Sequence, residues 1–495
     1  MYKNGQVVGM TTSARIDPSP STVFVDIVAL VDDGKSITRD PSTPSAAPQP
    51  HYPTSVKMAD EVKKLKICII GAGMGGLACA LALAKKGFQD IEVFETASNL
   101  GFVGAGIQLA PNMVRILDRL GVWGEVEKEA VILKETSIRQ GATDTELGHV
   151  SLDHVYKTYG YYHSVGHRAS LAGALYNGCK REESIKFHFS TVMGGVTSFS
   201  PKPTFTAIPR DGEPYTVEAD ILLSSDGVKS TTRVEMLKQI GATAEIIDTK
   251  QAAYRIMLTR DQMKHDPELL ALIDGQRATR WVGEKRHIIA YPVSGNNIYN
   301  LSTTQPDTNF AAAPSETYTT KGSKSAMLGV FSDFCPLIQR MLNLVPEGEV
   351  CEWKLRVHSP LPTWVHGSVG LVGDACHPTL PHMNQGAAQA IEDAGVLGEV
   401  LALLPDGSPK SINNALRVYE GVRKERAEML VELAAASGRA MHLGEGKAKE
   451  ERDRAFKEGK AVPDKWADAQ VQKTIYGFDC MEVAKEAFKE EFGKM

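Results

Sequence analysis

The 495-residue sequence contains no CxxC and no HExxH, so neither a thiol-built zinc site nor a helix-borne zinc centre is encoded, and no metal site is expected. No GxSxG occurs, which removes the nucleophile elbow of serine hydrolases. No apolar run approaches the ~18 residues that cross a bilayer, so no integral membrane segment is expected. The stretch TVFVDIVALV near the N-terminus carries Asp26 and lacks a basic flank, which is not the pattern of a signal peptide. Positive charge is not in excess. The 55 Lys and Arg stand against 60 Asp and Glu, for a net charge of -5, and without a basic field a nucleic-acid partner is not expected. Cysteine is sparse, at seven, and the number is odd with no close pairs. That argues against a disulfide framework and for a reducing, cytoplasmic setting. Cys68 falls in a strand pattern and Cys79 in a helical one, so both read as buried thiols.

What is present fits a globular chain. Hydrophobic residues make up 42% and charged residues 23%, and the length allows two or three domains. Residues 1–63 are rich in Ser, Thr, Pro and Asp and read as a disordered N-terminal extension. Met58 is a plausible alternative start, which leaves residues 1–57 either a flexible extension or absent from the mature protein. From MADEVKKLKICIIGAG onward the chain is patterned. KICII (66–70) is a predicted buried strand, MGGLACALALAKKGF a helix and IEVFE (91–95) a second strand, together a βαβ start. Residues 112–130 read as a helix broken near Gly121, and HRASLAGALYNGC as another helix. IKFHFST (185–191) and EPYTVEADILLSSDG read as strands. From about 250 to 305, strand-like runs separated by Gly, Pro and Asn predict an antiparallel sheet. Residues 387–440 are strongly helical, and the charged EGKAKEERDRAFKEGK reads as solvated.

Three motifs carry the chemistry. In GAGMGG, Gly71 allows a tight turn, Gly73 the close approach of a pyrophosphate and Gly76 helix–strand packing. The helix N-terminus behind them offers free N–H groups to phosphate. Glu95 ends the next strand, where its carboxylate can meet a ribose. The second motif, ILLSSDGVKSTTR, places Asp226 and Gly227 at a strand end and includes Arg233. The third, GLVGDACHPTLPHMNQGAAQAIEDAG, places Asp374 at another strand end, then a proline-containing loop and a helix opening at Gly386 and Ala387. Strand C-terminal ends are where α/β sheets bind ligands. One glycine-rich turn says only "dinucleotide". Three such segments, far apart, suit a long cofactor with a second head, FAD.

The order and spacing of these motifs resemble the single-component flavoprotein aromatic hydroxylases of the 4-hydroxybenzoate hydroxylase fold. The nearest resemblance is to the salicylate hydroxylase and 6-hydroxynicotinate 3-monooxygenase type, including fungal secondary-metabolite monooxygenases. The likeness covers roughly residues 64–480 and includes GAGIQLAPN (104–112), HRASL (167–171), AYR (253–255), RHIIAYP (286–292) and IYGFD (475–479). It implies an α/β fold: a Rossmann-like FAD-binding domain interleaved with a mixed or antiparallel-sheet substrate domain, plus C-terminal helices. The expected boundaries are 64–245 for the first part of the FAD domain, 246–360 for the substrate sheet, 361–400 for the third motif and 401–495 for the helical region. It implies an enzyme that uses NADPH or NADH and O2 to hydroxylate a small phenolic or heteroaromatic substrate through a flavin hydroperoxide, in fungal secondary metabolism. A decarboxylating salicylate-type hydroxylase and a non-hydroxylating NAD(P)H oxidase-like flavoprotein are the alternatives. The flavin-halogenase signature WxWxIP is absent. A homodimer is compatible with the family.

By the same resemblance, Glu95 binds the ribose and Arg168 the pyrophosphate region. Gly106 and Gln108 line the flavin side, and Asp226 with Gly227 serves FAD and the nicotinamide donor. Asp374 meets the ribityl and phosphate region, and Ala387 the flavin at the helix start beside Gly386. Arg255 can pair with a substrate phenolate or carboxylate, and Tyr291 can hydrogen-bond a phenol. His382, in the flavin-contacting loop, is a candidate to touch substrate. His287 reads as a strand residue and His377 as structural.

Overall fold

The computed structural model describes residues 60–101, 105–308, 319–462 and 464–492. Most of the expected extension, with the alternative start at Met58, lies outside these residues. Packed chain begins before the boundary drawn at 63. Val62 is buried, and Lys63 Nζ donates to the Ala402 carbonyl at 3.3 Å.

KICII forms the strand Lys66–Ile70, buried except at its first residue. After the glycine turn, the helix Met74–Lys85 buries ten of its twelve residues. A helix apolar on all sides belongs between layers, and its Ala and Gly content allows close approach. A Cβ at Gly398 of the helix Gly386–Ala402 would lie only 3.1 Å from Ala82 Cβ. The six-stranded sheet runs in the order Val365–His366, Val369–Leu371, Ile221–Ser224, Lys66–Ile70, Asp90–Phe94, Ile185–His188. Its neighbours pair in parallel apart from the hairpin at one edge. Its strands therefore come from four separate stretches of sequence.

Two expected strands are each divided. In 185–191, Ser190 takes a left-handed φ of 53°. Ile185–His188 stays in the six-stranded sheet, while Thr191–Ser198 enters a three-stranded one with Thr204–Pro209 and Tyr215–Glu218. In 213–227 the change comes at Asp220. Its carboxylate accepts from Lys66 N at 2.9 Å and its own N–H donates to Lys66 O, which draws Ile221–Ser224 into the six-stranded sheet.

The eight-stranded sheet contains Ile246–Thr259, Arg277–Gly283, Arg286–Val293, Ile298–Pro306 and Cys351–His358, with Glu135–Gln140, Glu146–Ser151 and Thr319–Lys321. It is antiparallel except where Arg277–Gly283 runs parallel to Glu135–Gln140. Directly paired residues share a face and successive rows alternate. One face is apolar: Tyr254, Ile256, Trp281, Ile288, Ala290 and Leu301 pack with Met327, Phe331, Ile338 and Met341 from the helices Lys324–Val330 and Pro336–Asn343. The other face holds the rows Met257–Asn300–Tyr291, Arg255–Ser302–Ile289–Arg280 and Thr304–His287. A small sheet, Gly106–Leu109 with Ser164–His167 and Val131–Ile132, abuts that polar face. The 33-residue helix Pro409–Met441 follows. The charged helix Lys447–Lys457 buries none of its residues.

Candidate active site and cofactor cradle

The turn after Lys66–Ile70 is shaped by glycine. Gly71 has φ +90°, and a Cβ there would stand 2.5 Å from Ser225 O. A Cβ at Gly76 would collide with Gly71 O at 1.9 Å, so the helix can approach the strand only without a side chain. At Gly73, the residue before the helix, a Cβ would meet nothing within 4 Å, so space is open beside its Cα. Glu95 closes the turn: Oε2 accepts from Ala72 N and Oε1 from Ala97 N, both at 2.8 Å. The carboxylate thus braces the loop and keeps lone pairs for a ligand. Gly71, Gly73, Glu95, Asp226 and Gly227 line one cavity of about 260 Å³.

Asp226 accepts from Thr232 N at 3.3 Å, and its Oδ1 is buried without a partner. Gly227 has φ +78°. Behind them Arg233, 2% exposed, donates to Val228 O at 2.8 Å and Ala375 O at 3.0 Å. It clamps the second motif to the third. A buried orphan acceptor, a glycine turn lining the cavity and a carboxylate at the strand end together fit a dinucleotide.

Under the third motif lies a buried charged knot. Gly373 has φ +62° and donates N–H to Asp393 Oδ2 at 2.9 Å. The same oxygen is 2.6 Å from His377 Nε2. Arg423 reaches Asp393 at 2.9 Å and Glu392 at 2.5 Å, and Arg426 adds two bonds to Glu392. Asn112 donates to Glu392 at 2.7 Å and to Gln385 at 3.0 Å. Both acids titrate below their ordinary range: the arginines, with His377 for Asp393, outweigh the cost of burial. Cys376, His377 and Asp393 bring ligand-type atoms within 4.8 Å of one another, but Asp393 is already held by Arg423. His163 and His167, four residues apart, share no ligand position either. His163 bonds to Gln108 and Tyr476, while His167 accepts from Ala169 N.

Asp374 is exposed yet hemmed in by protein, which pushes its carboxyl pKa up against the pull of His377 and Arg168. Arg168 opens the helix Arg168–Lys180 and is also electrostatically coupled to Arg255. Burial, then Arg168, lowers the pKa of Arg255, whose guanidinium lies 6.0 Å above the Trp353 ring. Tyr291 is 4% exposed, and burial raises its pKa while Arg255 and Arg280 oppose the rise. A Cβ on Gly106 would stand 2.4 Å from Asn300 Cγ and 2.7 Å from Tyr291 Cε2. Gly106 is therefore where the small sheet presses against the polar face.

Farther along that face Arg280, 1% exposed, sits 3.1 Å from Asp464 and donates to His287 Nε2 at 2.9 Å. Arginine only donates, so neutral His287 carries its proton on Nδ1 and gives it to His442 Nε2 at 2.7 Å. His382 completes a three-histidine cluster, with ring centroids 5.4 Å from His287 and 5.6 Å from His442. Both its ring nitrogens are buried without partners, and it abuts Gly438, where a Cβ would lie 2.5 Å from the ring. His382 and His442 line a second cavity of about 510 Å³, with Gln251, Lys250, Lys285 and Arg439.

Most of the expected residues therefore fall into three groups, with Gly386, Ala387 and Gln108 apart from them. Gly71, Gly73, Gly76, Glu95, Asp226 and Gly227 build the nucleotide cradle. Asp374, Arg168, Arg255 and Tyr291 form a chain of neighbouring polar groups that ends, beside Gly106, at the polar face. His382 lies at the second cavity, linked to Tyr291 only through the charge of Arg280 that both feel. Gly386 and Ala387 start the helix over the charged knot. Gln108 is 3% exposed, with Oε1 2.8 Å from His163 Nε2. Sequence reasoning passed over Asn300, Arg280, His442 and Arg423. The available signal was adjacent acids, Glu392 and Asp393, in a mostly apolar helix, which demand buried cations.

Comparison with known proteins agrees with this geometry. Residues 64–315 and 339–434 match the family model described as "FAD binding domain". The chain is 30% identical over 422 residues to an FAD-dependent monooxygenase from Arthrinium sp, covering 85% of this chain and 96% of that one. It is 30% identical over 386 residues to a 3-hydroxybenzoate 6-hydroxylase from Polaromonas naphthalenivorans, covering 78% and 90%. Among solved structures, a salicylate hydroxylase substrate complex superposes with a TM-score of 0.69 at 23% identity, covering 86% of this chain and 98% of that one. No helix among the described residues is long and apolar enough to cross a membrane.

Proposed function

The chain belongs to the FAD-binding-domain family and is an FAD-dependent monooxygenase; from that premise we propose that it hydroxylates a small phenolic or heteroaromatic substrate held on the polar face of the large sheet. The observation that carries the reading is the convergence at Gly106. There the strand expected beside the flavin touches Tyr291 and Asn300, with Arg255 one row away on the same face.

FAD supplies the redox chemistry with NADPH or NADH and O2. The protein supplies position and charge. Glu95, Asp226 and the Gly71–Gly76 turn hold the nucleotide half. Arg168 and Asp374 flank the cleft and take the pyrophosphate and ribityl region. The helix starting at Gly386 and Ala387 would offer its positive N-terminal end to the flavin ring. Arg255 and Tyr291 orient the substrate oxygen, and the buried wall around them limits water. His382, held neutral by burial and by the charges of His442 and Arg280, lines the second cavity instead. Residues 64–245 and 361–400 supply the cofactor domain, 246–360 the substrate sheet and 401–495 the helical cover. Fungal secondary metabolism, a cytoplasmic setting and a homodimer belong to the same proposal; thiols free at all seven cysteines support the second.

The test is direct. The purified protein is expected to be yellow, to consume NAD(P)H faster when the right aromatic compound is present, and to yield a product heavier by one oxygen atom. Consumption indifferent to every phenol and heteroaromatic acid tried would make it a non-hydroxylating oxidase instead.

A further inference from the structure

Two buried side-chain amides at the polar face hold donors that nothing in the fold uses. Asn300 is 1% exposed, and its Oδ1 accepts the Gly106 N–H at 2.7 Å. A backbone N–H can only donate, so the amide cannot be turned around. Its oxygen takes the Gly106 N–H, and Nδ2, beside the Gly106 Cα, keeps both hydrogens unused. That Nδ2 is buried and has no partner. Gln108 lies two residues beyond Gly106 and so on the same face of its strand. It turns Oε1 toward His163, and its Nε2 is likewise buried and unpartnered. Tyr291 stands opposite Asn300 in the ladder, and Arg255 is one row over. The groups facing this corner are donors or a cation. Buried donors are almost always matched, so an unmatched pair beside a substrate pocket points to an acceptor brought in by a ligand.

We propose that Asn300 is a specificity-determining residue of this hydroxylase: its Nδ2 donates to an oxygen acceptor on the aromatic substrate, a ring oxyanion or ring carbonyl, with Gln108 as a second donor. Glycine at 106 is part of the device, because a Cβ there would displace the Asn300 amide. The inference rests on the hydroxylase reading above.

Asn300→Asp is the informative variant. It keeps an oxygen for the Gly106 N–H and replaces the free donors with a carboxylate oxygen of the same shape. The flavin-bearing wild type and N300D are titrated with 3-hydroxybenzoate, salicylate and 6-hydroxynicotinate, and with 3-aminobenzoate, anthranilate and 6-aminonicotinate, following the flavin absorbance. In the wild type at least one hydroxy compound is expected to bind about tenfold more tightly than its amino counterpart. In N300D that compound loses about tenfold or more and the preference narrows or reverses, while FAD occupancy and thermal midpoint stay at wild-type values. Unchanged binding in N300D, a wild-type preference for amines, or no response to any of the six overturns the proposal. So does loss of FAD or of stability in N300D, which would make Asn300 a brace only. Failure of the hydroxylase reading looks different: wild-type NAD(P)H consumption that no aromatic compound stimulates.

Discussion

The nucleotide cradle and the polar face of the large sheet are made of different materials. In the cradle the main chain does most of the shaping. Gly71 turns with φ +90°, Gly76 lets helix and strand touch, and Glu95 serves by accepting two backbone N–H groups. Its working parts, apart from Asp226 and Gly227, lie within 25 residues of one another. On the polar face the side chains do the shaping, across long separations. Arg280 joins Asp464, His287 joins His442, and Asn300 joins Gly106. The charged knot under the third motif follows the same rule, with Arg423 reaching back to Glu392 and Asp393. A main-chain site tolerates change in most neighbouring side chains and almost none at its glycines. A side-chain site is held by pairs, each of which fails when one member is lost.

That contrast is open to attack, and Arg423→Met carries the largest expected effect. It strands Glu392 and Asp393 in the interior, with Arg426 as the remaining arginine, and should cost about 3–5 kcal/mol in chemical unfolding. A stability near wild type would show that the knot is not a unit. Gly76→Ala strikes the main-chain half. Its Cβ would overlap Gly71 O, and FAD affinity should fall by about 100-fold, or ~2.7 kcal/mol, read as the flavin-to-protein absorbance ratio after dialysis. Full occupancy would refute the role given to that turn. Arg255→Ala and Tyr291→Phe should leave flavin content intact and slow aromatic turnover by about 10- to 100-fold. If either lost flavin instead, the division between cradle and face would blur.

The smallest effect is in pH dependence. Burial lowers the His163 pKa to about 3, and burial followed by the charge of Arg280 and Arg452 lowers that of His442 to about 4. His287 and His382 shift the same way. Unfolded histidine titrates near ~6.5. As pH falls through that value the unfolded chain takes up protons that the folded one refuses. Stability is therefore fully present above pH ~6.5 and declines toward pH 4. The thermal midpoint should drop between pH 7 and pH 5. His163→Gln should shallow the slope by at most about 1.4 kcal/mol per pH unit; an unchanged slope would mean that His163 does not contribute.

The same contrast explains what the sequence disclosed. KICII, GAGMGG and Glu95 are legible because turn, helix start and strand end constrain residues that are neighbours in the chain. Tyr291 and Arg255 were noticed through family likeness, and the ladder places them one row apart on one face. Asn300 carried no signal of its own: IYNLS reads as any strand, and its partner is Gly106, 194 residues away. His442 follows a helix that sequence patterning had already ended near 440, and only folding brings its ring to His287. The divided strands at 185–198 and 215–224 were missed because the switch between sheets depends on a left-handed serine and on Asp220 pairing with Lys66.

The four-stretch origin of the six-stranded sheet also bears on how the molecule is made. The strand Ile221–Ser224 waits for Val369–Leu371 as its neighbour, and Arg233 waits for the carbonyl of Ala375. A chain emerging from the ribosome N-terminus first has completed roughly three quarters of its synthesis before the cradle can close. Until then its apolar strand edges need shelter, and the helix Pro409–Met441, translated after the acids, delivers Arg423 to them.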